Sequence, residues 1–527
     1  MKNRDRRIAP QMYYEGLTKA HWRSRLAKAA FALFCLETLF SVTYHSVYLF
    51  CGSTPKSVVA GFCALVAILI CFSFRQPILL ALGRALETRS IGNKVWLSFW
   101  LIFGVVLRLA WILRFPVTLK ADHFTYFQIA AKMAQGDSNT GSYWPPGFSL
   151  FLAPWFMVFG VHLWVAGLCA LLFFVATYFL TYALANRIQG GMTSRIAPML
   201  VALWPGYLTL AGINCKESFL AVLVSAALLF YLKASDYRSI HDSNLATSNS
   251  DPGQPCRSVL FKWGFAIVAG LCMGVATLTQ PGCMLFPVVI LGFEMLRGTS
   301  VLGVIGRTAI FSVALIAAVL PWTYRNYLVF HRMILISTNG GSVFYRANNP
   351  LANADYRAEG EIPLPKDEIA ADRLGYKLAD EWITHHPGAF VVLMFRKQVV
   401  FLGDDALGAY ETLKRDLNPS GVLYNSVRGV SNLFWLTEWT VLLYGIALLF
   451  RSGDWKIWYG LLFLPLVYQW AIDSVFESGS RHHVPYIAPI AILVGMVLSL
   501  AVQKELKPAQ RAFAEQDVIA RVQPHEL

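Results

Sequence analysis

Long apolar blocks recur along the chain, and they constrain its fold more than any other feature. Each block has about 18–22 residues, close to the ~20 that a helix needs to cross the hydrocarbon core of a bilayer. Hydrophobic residues make up 56% of the 527 residues and charged residues only 14%, which excludes an ordinary soluble protein. The sequence therefore predicts an all-α polytopic integral membrane protein with about 12 transmembrane helices, and about 14 if two shorter apolar pieces also cross.

The predicted spans follow these apolar blocks. They lie near residues 30–50, 57–74, 95–113, 162–184, 196–212, 217–233, 263–280, 282–297, 303–322, 431–450, 456–474 and 484–502. Two shorter apolar pieces are interpreted differently. Residues 148–160 reach only about 20 Å as a helix, which suits a re-entrant or juxtamembrane helix. Residues 389–403 are interrupted by Arg396 and Lys397, which suits a helix at the membrane interface.

Lysine and arginine are distributed unevenly between the two sides of the predicted membrane. One side carries 26 of them, in segments 1–28, 75–94, 185–195, 233–262, 297–307, 451–456 and 503–527, whereas the short loops of the other side carry 6. The positive-inside rule places the richer side, with both termini, in the cytoplasm. The loop that contains Asp122, the turn 213–217, the segment 323–430 and the loop 477–483 then share the extracytoplasmic face. This distribution also explains the net charge of +14 without a nucleic-acid partner.

These boundaries divide the chain into five parts. They are a cytoplasmic N-terminus with two extra transmembrane helices (1–94), a membrane core (95–322) with a first outer loop at 114–161, a long outer-face loop with amphipathic helices (323–430), C-terminal transmembrane helices (431–503) and a cytoplasmic tail (504–527). In the long loop, the apolar spacing over 366–386 predicts an amphipathic helix that ends at His386-Pro387. The nine cysteines lie scattered in apolar blocks without CxxC pairs, which indicates neither a disulfide framework nor a zinc site.

A polar run from Lys120 to Tyr126 begins just after the third predicted span, and the Trp144–Gly147 motif follows it. Ionisable side chains at a membrane helix usually mark a functional site. The Asp122 carboxylate could accept a proton or orient a nucleophile. A solvated loop acid or a helix N-cap is the alternative. Tyr126 lies four residues on, hence on the same helical face, but an interfacial aromatic belt explains it equally well.

Further motifs follow in a fixed order. They are Arg108 inside a span, Asp122-His123-Phe124-Thr125-Tyr126, Tyr143-Trp144-Pro145-Pro146-Gly147-Phe148, Lys216-Glu217, Thr277-Leu278-Thr279-Gln280-Pro281, Pro321-Trp322-Thr323-Tyr324-Arg325-Asn326-Tyr327 and Ala347-Asn348-Asn349-Pro350. Each motif is weak by itself. Their common order over residues 95–400 resembles the GT-C-type membrane glycosyltransferases, in particular the branch of protein O-mannosyltransferases and the lipid A aminoarabinose transferase.

The resemblance implies an enzyme that moves a sugar from an isoprenoid-phosphate carrier to an acceptor at the extracytoplasmic face, with inversion at the anomeric carbon. Its partners would be this lipid-linked donor, a membrane-associated lipid, glycan or protein acceptor, and the bilayer. The motif acid is carried over to Asp122 as the catalytic residue. In some relatives the matching acid also touches a divalent metal, so the resemblance leaves a metal site open and implies no other cofactor. The expected location is the plasma (inner) membrane of a bacterium.

Arg325 is the first candidate for binding the donor phosphate, because a planar bidentate donor just beyond a span suits a phosphate diester. A snorkelling arginine that anchors the helix end is the alternative. Lys216 and Arg481 are further candidate cations on the same face. The departing phosphate gains negative charge as the glycosidic bond breaks, so a cation beside it stabilises the transition state more than the ground state.

Four residues are candidates for positioning the acceptor or the donor: His123, Tyr126, Glu217 and Asn326. Glu217 opens a predicted helix, where a carboxylate also complements the helix dipole, so a structural role is an alternative. Arg108 is expected either to pair with Glu217 or Asp122 across the bundle or to reach up to water.

Two other function classes stay open. A transporter or flippase for a lipid-linked sugar would share the bundle and the cations, but transporters place polar sites near the midplane and often contain inverted repeats. A surface-polysaccharide polymerase or ligase would also use large outer loops with arginines. The candidates cluster at one face without an internal repeat, and Asp122 lies in the first large outer loop. Both observations favour the glycosyltransferase.

Overall fold

The computed structural model describes residues 25–44, 92–115, 119, 121–137, 141–235, 255–298, 300–354, 364–414, 421–452 and 459–503. This part of the chain is helical and contains no β-strand, so the predicted all-α architecture is confirmed for it. The predicted span at 57–74, the predicted tail 504–527 and Lys120 lie outside the described residues.

The helices follow one another in chain order as α1 (Arg25–Tyr44), α2 (Asn93–Arg114), α3 (Ala121–Ala134), α4 (Gly147–Phe159), α5 (Leu163–Ile188), α6 (Thr193–Leu203), α7 (Pro205–Thr209), α8 (Lys216–Ala234), α9 (Pro255–Thr279), α10 (Pro287–Arg297), α11 (Val301–Phe330), α12 (Gly340–Ala347), α13 (Glu368–His385), α14 (Pro387–Gly403), α15 (Val422–Ser452), α16 (Tyr459–Val475) and α17 (Val484–Gln503). Short helical turns lie at Leu210–Gly212, Pro281–Leu285, Leu407–Ala409 and Tyr410–Lys414.

Eight of the described helices are long and apolar enough to cross a bilayer, namely α1, α2, α5, α8, α9, α11, α15 and α17. Each of them coincides with a predicted span. The protein is therefore a multi-pass membrane protein. The predicted count of about 12 spans is not confirmed, because other predicted spans are broken, short or outside the described residues.

Prolines interrupt two of the predicted spans. In the span predicted at 196–212, α6 ends at Leu203 and Pro205 starts the five-residue α7. The span predicted at 282–297 begins with a 3-10 turn from Pro281, which leaves α10 with 11 residues. Proline lacks the backbone N–H and its ring clashes with the preceding turn, so at these two positions the apolar run does not continue as one long helix.

Helices α9 and α11 pack closely through glycines. A Cβ at Gly274 would lie 2.6 Å from Leu315 O, and a Cβ at Gly270 would meet Phe311 O. Small residues let helix backbones approach each other, which drives helix association in lipid. Helix α8 also packs on α9, so that α8, α9 and α11 form one continuous group.

Helix α1 belongs to the same apolar core as the C-terminal helices. Phe31 packs on Phe463 of α16 with ring centroids 5.1 Å apart, and Phe34 packs edge-on against Trp439 of α15 at 5.6 Å. By contrast, α2 and α11 leave apolar side chains exposed, such as Leu113 and Leu320. Exposed apolar faces of this kind are typical of surfaces that contact a membrane.

The segment between α11 and α15 contains the predicted amphipathic helix, which is confirmed as α13. It begins after Asp367, whose carboxylate accepts a hydrogen bond from Ala370 N–H at 2.7 Å, and it ends at His385 before Pro387. The apolar pieces predicted at 148–160 and 389–403 are the helices α4 and α14. Their re-entrant and interfacial placement stays a prediction.

Candidate active site

Asp122 and Arg481 form the centre of the candidate site. Asp122 lies in the first turn of α3, and its side chain is 14% exposed. Its Oδ2 accepts a hydrogen bond from Arg481 Nη2 at 2.6 Å. Arg481 lies in the turn between α16 and α17. The short distance and the opposite charges make this a charge-assisted hydrogen bond.

Arg481 also contacts a second carboxylate. Its Nε lies 3.1 Å from Oε1 of Glu217, which is fully buried in the first turn of α8. The other oxygen of Glu217 accepts a hydrogen bond from Cys215 Sγ at 2.9 Å. Both carboxylates lie at helix N-termini, where the helix dipole favours negative charge. The planar guanidinium can contact two carboxylates at once, which a lysine ammonium does less well.

Lys216 and Tyr126 supply two hydrogen-bond donors beside this pair. Lys216 Nζ lies 5.5 Å from the centroid of the Tyr126 ring and makes no hydrogen bond to the part of the chain that the structure describes. The Tyr126 hydroxyl is buried and has no hydrogen-bond partner among the same residues. Buried donors without an acceptor are rare in folded proteins. The Tyr126 hydroxyl is such a donor, and together with the adjacent Lys216 ammonium it is suited to an anion.

Electrostatics keep Asp122 ionised and Tyr126 neutral. Burial favours the protonated form of Asp122, but Arg481, His123 and Lys216 together outweigh it and lower the pKa of this carboxyl well below its usual range. Burial raises the pKa of Tyr126. At physiological pH the site therefore combines a carboxylate that can accept a hydrogen bond with a phenol that can donate one.

His123 connects α3 to the turn before α8. Its Nδ1 lies 3.2 Å from Asn214 O, and Asn214 Nδ2 donates a hydrogen bond to His123 O at 3.3 Å. Its Nε2 lies 3.8 Å from Asp122 Oδ1. His123 thus fixes the start of α3 against the turn that leads to Lys216 and Glu217.

The structure gives Arg325 and Asn326 contacts with a different segment. Arg325 Nη1 donates hydrogen bonds to Ser142 Oγ at 2.8 Å and to Gly141 O at 3.3 Å, and its guanidinium lies over the Trp322 ring at 4.8 Å. Asn326 Oδ1 accepts a hydrogen bond from Ser142 Oγ at 2.7 Å. These contacts hold the loop that leads into the Trp144–Gly147 motif.

That motif in turn packs on the end of α9. A Cβ at Gly147 would lie 2.6 Å from Thr279 N, so only glycine allows this approach. Tyr126 packs edge-on against Trp144 and Phe148, with ring centroids 5.5 Å and 6.0 Å apart. The Asp122–Tyr126 motif and the Trp144–Gly147 motif thus meet at Tyr126. Arg325 contacts the loop that leads into the second motif.

The prediction that Arg108 pairs with an acid or reaches up to water is wrong. Arg108 is 1% exposed, so it does not reach water, and it pairs with no acid among the residues that the structure describes. Its guanidinium donates to Val201 O at 3.3 Å and to Ala202 O at 3.2 Å, and it lies 3.6 Å from the centroid of the Phe174 ring. Because α6 ends at Leu203, its last carbonyls lack helical partners, and Arg108 satisfies them.

Two buried acids that the sequence analysis missed pair with the histidines beside Arg481. His482 Nδ1 lies 3.0 Å from Asp473 Oδ2, and His483 Nε2 lies 2.8 Å from Asp405 Oδ1. A signal was available for Asp473, since an acid inside an apolar block is costly and usually functional. Asp405 follows an apolar helix in the same way, but its partner lies 78 residues away along the chain.

A metal site does not emerge from the described residues. No group of three or more His, Cys, Asp and Glu side chains among them is placed to hold a metal ion. The Arg481 guanidinium lies between the Asp122 and Glu217 carboxylates, where a metal shared by the two acids would have to bind.

A family match covers some of the residues at this site. Residues 144–246 match the family model for dolichyl-phosphate-mannose-protein mannosyltransferases. The match covers roughly a fifth of the chain and includes the Trp144–Gly147 motif and Lys216-Glu217. It confirms the resemblance to GT-C-type, polyprenyl-phosphate-dependent glycosyltransferases. No curated protein sequence matches the chain.

The solved structures that are similar to the chain include three at low sequence identity. The apo oligosaccharyltransferase of Archaeoglobus fulgidus is 15% identical, with a TM-score of 0.47, over 80% of this chain and 52% of that one. The oligosaccharyltransferase AglB of the same organism, in complex with an inhibitory peptide and a dolichol-phosphate, is 15% identical, with a TM-score of 0.46 and the same coverage. ArnT of Cupriavidus metallidurans, bound to undecaprenyl phosphate, is 17% identical, with a TM-score of 0.38, over 77% of this chain and 78% of that one. The chain thus spans about half the length of the oligosaccharyltransferases.

Proposed function

We propose that this protein is a membrane glycosyltransferase, which moves a sugar from an isoprenoid-phosphate carrier to a membrane-associated acceptor. The observation that carries the proposal is the combination of an ionised carboxylate, Asp122, with the buried Tyr126 hydroxyl, which has no hydrogen-bond partner among the described residues, and the adjacent Lys216 ammonium. A carboxylate suits the incoming hydroxyl, and the donors suit a phosphate. The family match over residues 144–246 supports the same reaction class.

In the proposed reaction the acceptor hydroxyl attacks the anomeric carbon and gives its proton to Asp122. The bond between the anomeric carbon and the phosphate oxygen breaks, and its electron pair stays on the carrier phosphate. Lys216 and Tyr126 would donate hydrogen bonds to that phosphate, where they stabilise charge that grows in the transition state. Arg481 would add a third contact by sharing its guanidinium between the acids and the phosphate.

The phosphate also has an electrostatic effect on Asp122. In the structure described, Arg481 lowers the pKa of this carboxyl, which makes it a weak base. A phosphate that attracts Arg481 would weaken the hydrogen bond to Asp122 and raise its basicity. Donor binding would therefore prepare the base as it supplies the sugar.

For orientation we propose the plasma membrane of a bacterium, with both termini in the cytoplasm and the Asp122 site on the opposite face. The distribution of lysine and arginine supports this orientation. A matched pair of cysteine variants tests it. Met333→Cys, exposed near the site end of α11, should react with an impermeant thiol reagent in intact cells. Leu302→Cys, exposed at the other end of α11, should react only after permeabilisation, and the reverse pattern would overturn the orientation.

The function is tested with purified protein in vesicles that contain polyprenyl-phosphate-linked hexoses or pentoses together with lipid, glycan or protein acceptors. Wild type should release free polyprenyl phosphate, and Asp122→Asn should reduce this release by about 100-fold or more. Asp380→Asn, which changes an exposed acid of α13, serves as the matched control and should retain full activity. Movement of intact donor across the vesicle membrane without release of polyprenyl phosphate would overturn the proposal in favour of a transporter.

A further inference from the structure

Three consecutive residues, Arg481, His482 and His483, pair with acids from four different parts of the chain. Arg481 contacts Asp122 and Glu217, His482 contacts Asp473, and His483 contacts Asp405. Only the first of these residues faces the candidate active site. The two histidines form ion pairs or hydrogen bonds immediately behind it.

The two acids behind the histidines are themselves fixed. Asp473 Oδ1 accepts a hydrogen bond from Gln469 Nε2 at 2.8 Å, and Gln469 Oε1 accepts one from Tyr486 Oη at 3.0 Å. Asp473 is 2% exposed. Because every bond in this group lies in the interior, the position of Asp473 leaves little freedom to the ring of His482.

Asp405 is held in the same manner. Its Oδ2 accepts a hydrogen bond from Trp204 Nε1 at 2.7 Å, and its backbone N–H donates to Asn432 Oδ1 at 3.0 Å. The ring of His483 stacks on Trp435 with centroids 4.5 Å apart. The His483 side chain is therefore confined by an acid on one side and an indole on the other.

We propose that Asp473 and Asp405 are positioning residues, which act through His482 and His483 to hold the Arg481 guanidinium between Asp122 and Glu217. As a statement about catalysis, the inference rests on the proposed function. An arginine side chain has many rotamers, and its head group is defined only if the backbone below it is fixed. The two acid–histidine pairs fix that backbone on its C-terminal side.

The charge of the pairs contributes as well as their shape. His482 faces Asp473 from α16 and Glu477 and Arg481 from its own turn, while Lys397 of α14 lies near Asp473. Burial opposes protonation of His482, but Asp473 outweighs it and raises the pKa of the imidazole. A protonated His482 binds Asp473 more strongly than a neutral one. The hold on Arg481 is therefore present below the raised pKa and weakens as the pH rises through it.

The variant Asp473→Asn keeps the size of the side chain and removes its charge. In the vesicle assay it should lower kcat/KM by about 10-fold to 100-fold, mainly through kcat, because a small displacement of Arg481 is costly for the reaction. The alkaline limb of the pH profile of kcat/KM should move to lower pH in this variant, because His482 loses the acid that stabilises its protonated form. Asp405→Asn provides a second, independent variant in case Asp473→Asn does not fold.

A double-mutant cycle separates positioning from a general loss of stability. In an Arg481→Gln background, Asp473→Asn should have less than about a threefold further effect, since it acts through a residue that is no longer present. Glu294→Gln is the matched control, because Glu294 is an equally buried, ion-paired acid that contacts Tyr231 near the far end of α8. Fully multiplicative effects, or an equal loss in Glu294→Gln, would overturn the inference.

Hydrogen exchange of the backbone amides of residues 477–484 gives a readout that does not need turnover. Asp473→Asn should exchange faster there than wild type, and unchanged exchange would overturn the inference. If wild type releases no polyprenyl phosphate, the proposed function fails, and this measurement still decides whether the acids hold the turn. If wild type is active and Asp473→Asn is equally active, only the positioning inference fails.

Discussion

Arg481 Nη2 lies 2.6 Å from Asp122 Oδ2, although 359 residues separate them along the chain. The contact brings the first outer loop onto the turn before the last helix. It also sets the protonation state of Asp122, since the arginine is the strongest of the groups that lower the pKa of this carboxyl.

Replacement of this arginine should therefore change the pH dependence of the proposed transferase activity. In Arg481→Gln the burial of Asp122 is opposed only by His123 and Lys216, so the pKa of the carboxyl rises. The acid limb of kcat/KM should move to higher pH, because a protonated carboxyl cannot accept the hydroxyl proton. The shift is measured from the residual turnover between about pH 4 and about pH 8. This range covers the ordinary titration of carboxyl and imidazole groups.

Arg481→Lys is the control for this experiment. It keeps the positive charge near Asp122 and loses the planar geometry, so the acid limb should stay closer to that of wild type. Loss of a buried partner should also lower the stability of Arg481→Gln by about 3 kcal/mol. An acid limb that is identical in all three proteins would show that Asp122 does not titrate in the reaction.

Lys216 and Arg325 compete for the role of phosphate ligand, and their variants can be compared directly. Lys216→Met should raise the donor KM by about 10-fold to 100-fold, the cost of one charge-assisted hydrogen bond. Arg325→Met should change the donor KM less than about threefold and lower the melting temperature instead, because Arg325 holds Gly141 and Ser142. The opposite ranking of the two KM values would indicate that Arg325, and not Lys216, binds the phosphate.

Gly147 permits the contact between two of the sequence motifs. Gly147→Ala would place a Cβ 2.6 Å from Thr279 N, so it should destabilise the protein by about 1–3 kcal/mol. The matched control is Gly264→Ala in α9, where a Cβ meets nothing within 4 Å. This control should be neutral or stabilising by up to ~1 kcal/mol, since alanine favours a helix over glycine. Thermal unfolding in detergent measures both, and equal melting temperatures would contradict the close approach.

The buried ammonium of Lys397 should make the stability of the protein depend on pH. Its ammonium is buried in α14, where it donates to Asn348 Oδ1 at 2.8 Å and to Val475 O at 3.1 Å. Burial outweighs the nearby Asp473 and Glu477 and lowers the pKa of Lys397 to about 7. The folded protein then binds fewer protons than the unfolded chain between pH 7 and the ordinary lysine pKa of about 10.4.

Stability should accordingly rise with pH above about 7, by at most ~1.4 kcal/mol per pH unit from this group. Lys397→Met removes the titrating amine, so its melting temperature should depend less on pH over the same range. The comparison needs only thermal unfolding of the two proteins between about pH 7 and 9. Parallel pH profiles would exclude a depressed pKa at Lys397.

The long helices are the part of the fold that the sequence predicts well. Helix α8 spans Lys216–Ala234 against a predicted 217–233, and α13 spans Glu368–His385 against a predicted 366–386. These helices follow from local hydrophobic length and period, which are properties of neighbouring residues. The prediction was weaker at 196–212, because average hydropathy over a window does not register the break at Pro205.

The candidate site is likewise only partly predictable from the sequence. Asp122, Lys216, Glu217 and Arg481 stand out in the sequence because charge is costly in an apolar chain. The pairing of Arg481 with two of them, and the support from Asp405 and Asp473, is absent from the sequence pattern.

The sequence by itself determined that this chain crosses a membrane repeatedly and carries its polar motifs at helix ends, because hydrophobic length and the cost of buried charge act locally. Only the tertiary structure decided which charge meets which. Arg108 binds the open carbonyls of α6 rather than an acid, and Arg481 instead joins Asp122 to Glu217. Which charged side chains pair in a helix bundle depends on the distances between them once the helices have packed. Helix packing in turn depends on close contacts between segments that are far apart in the chain.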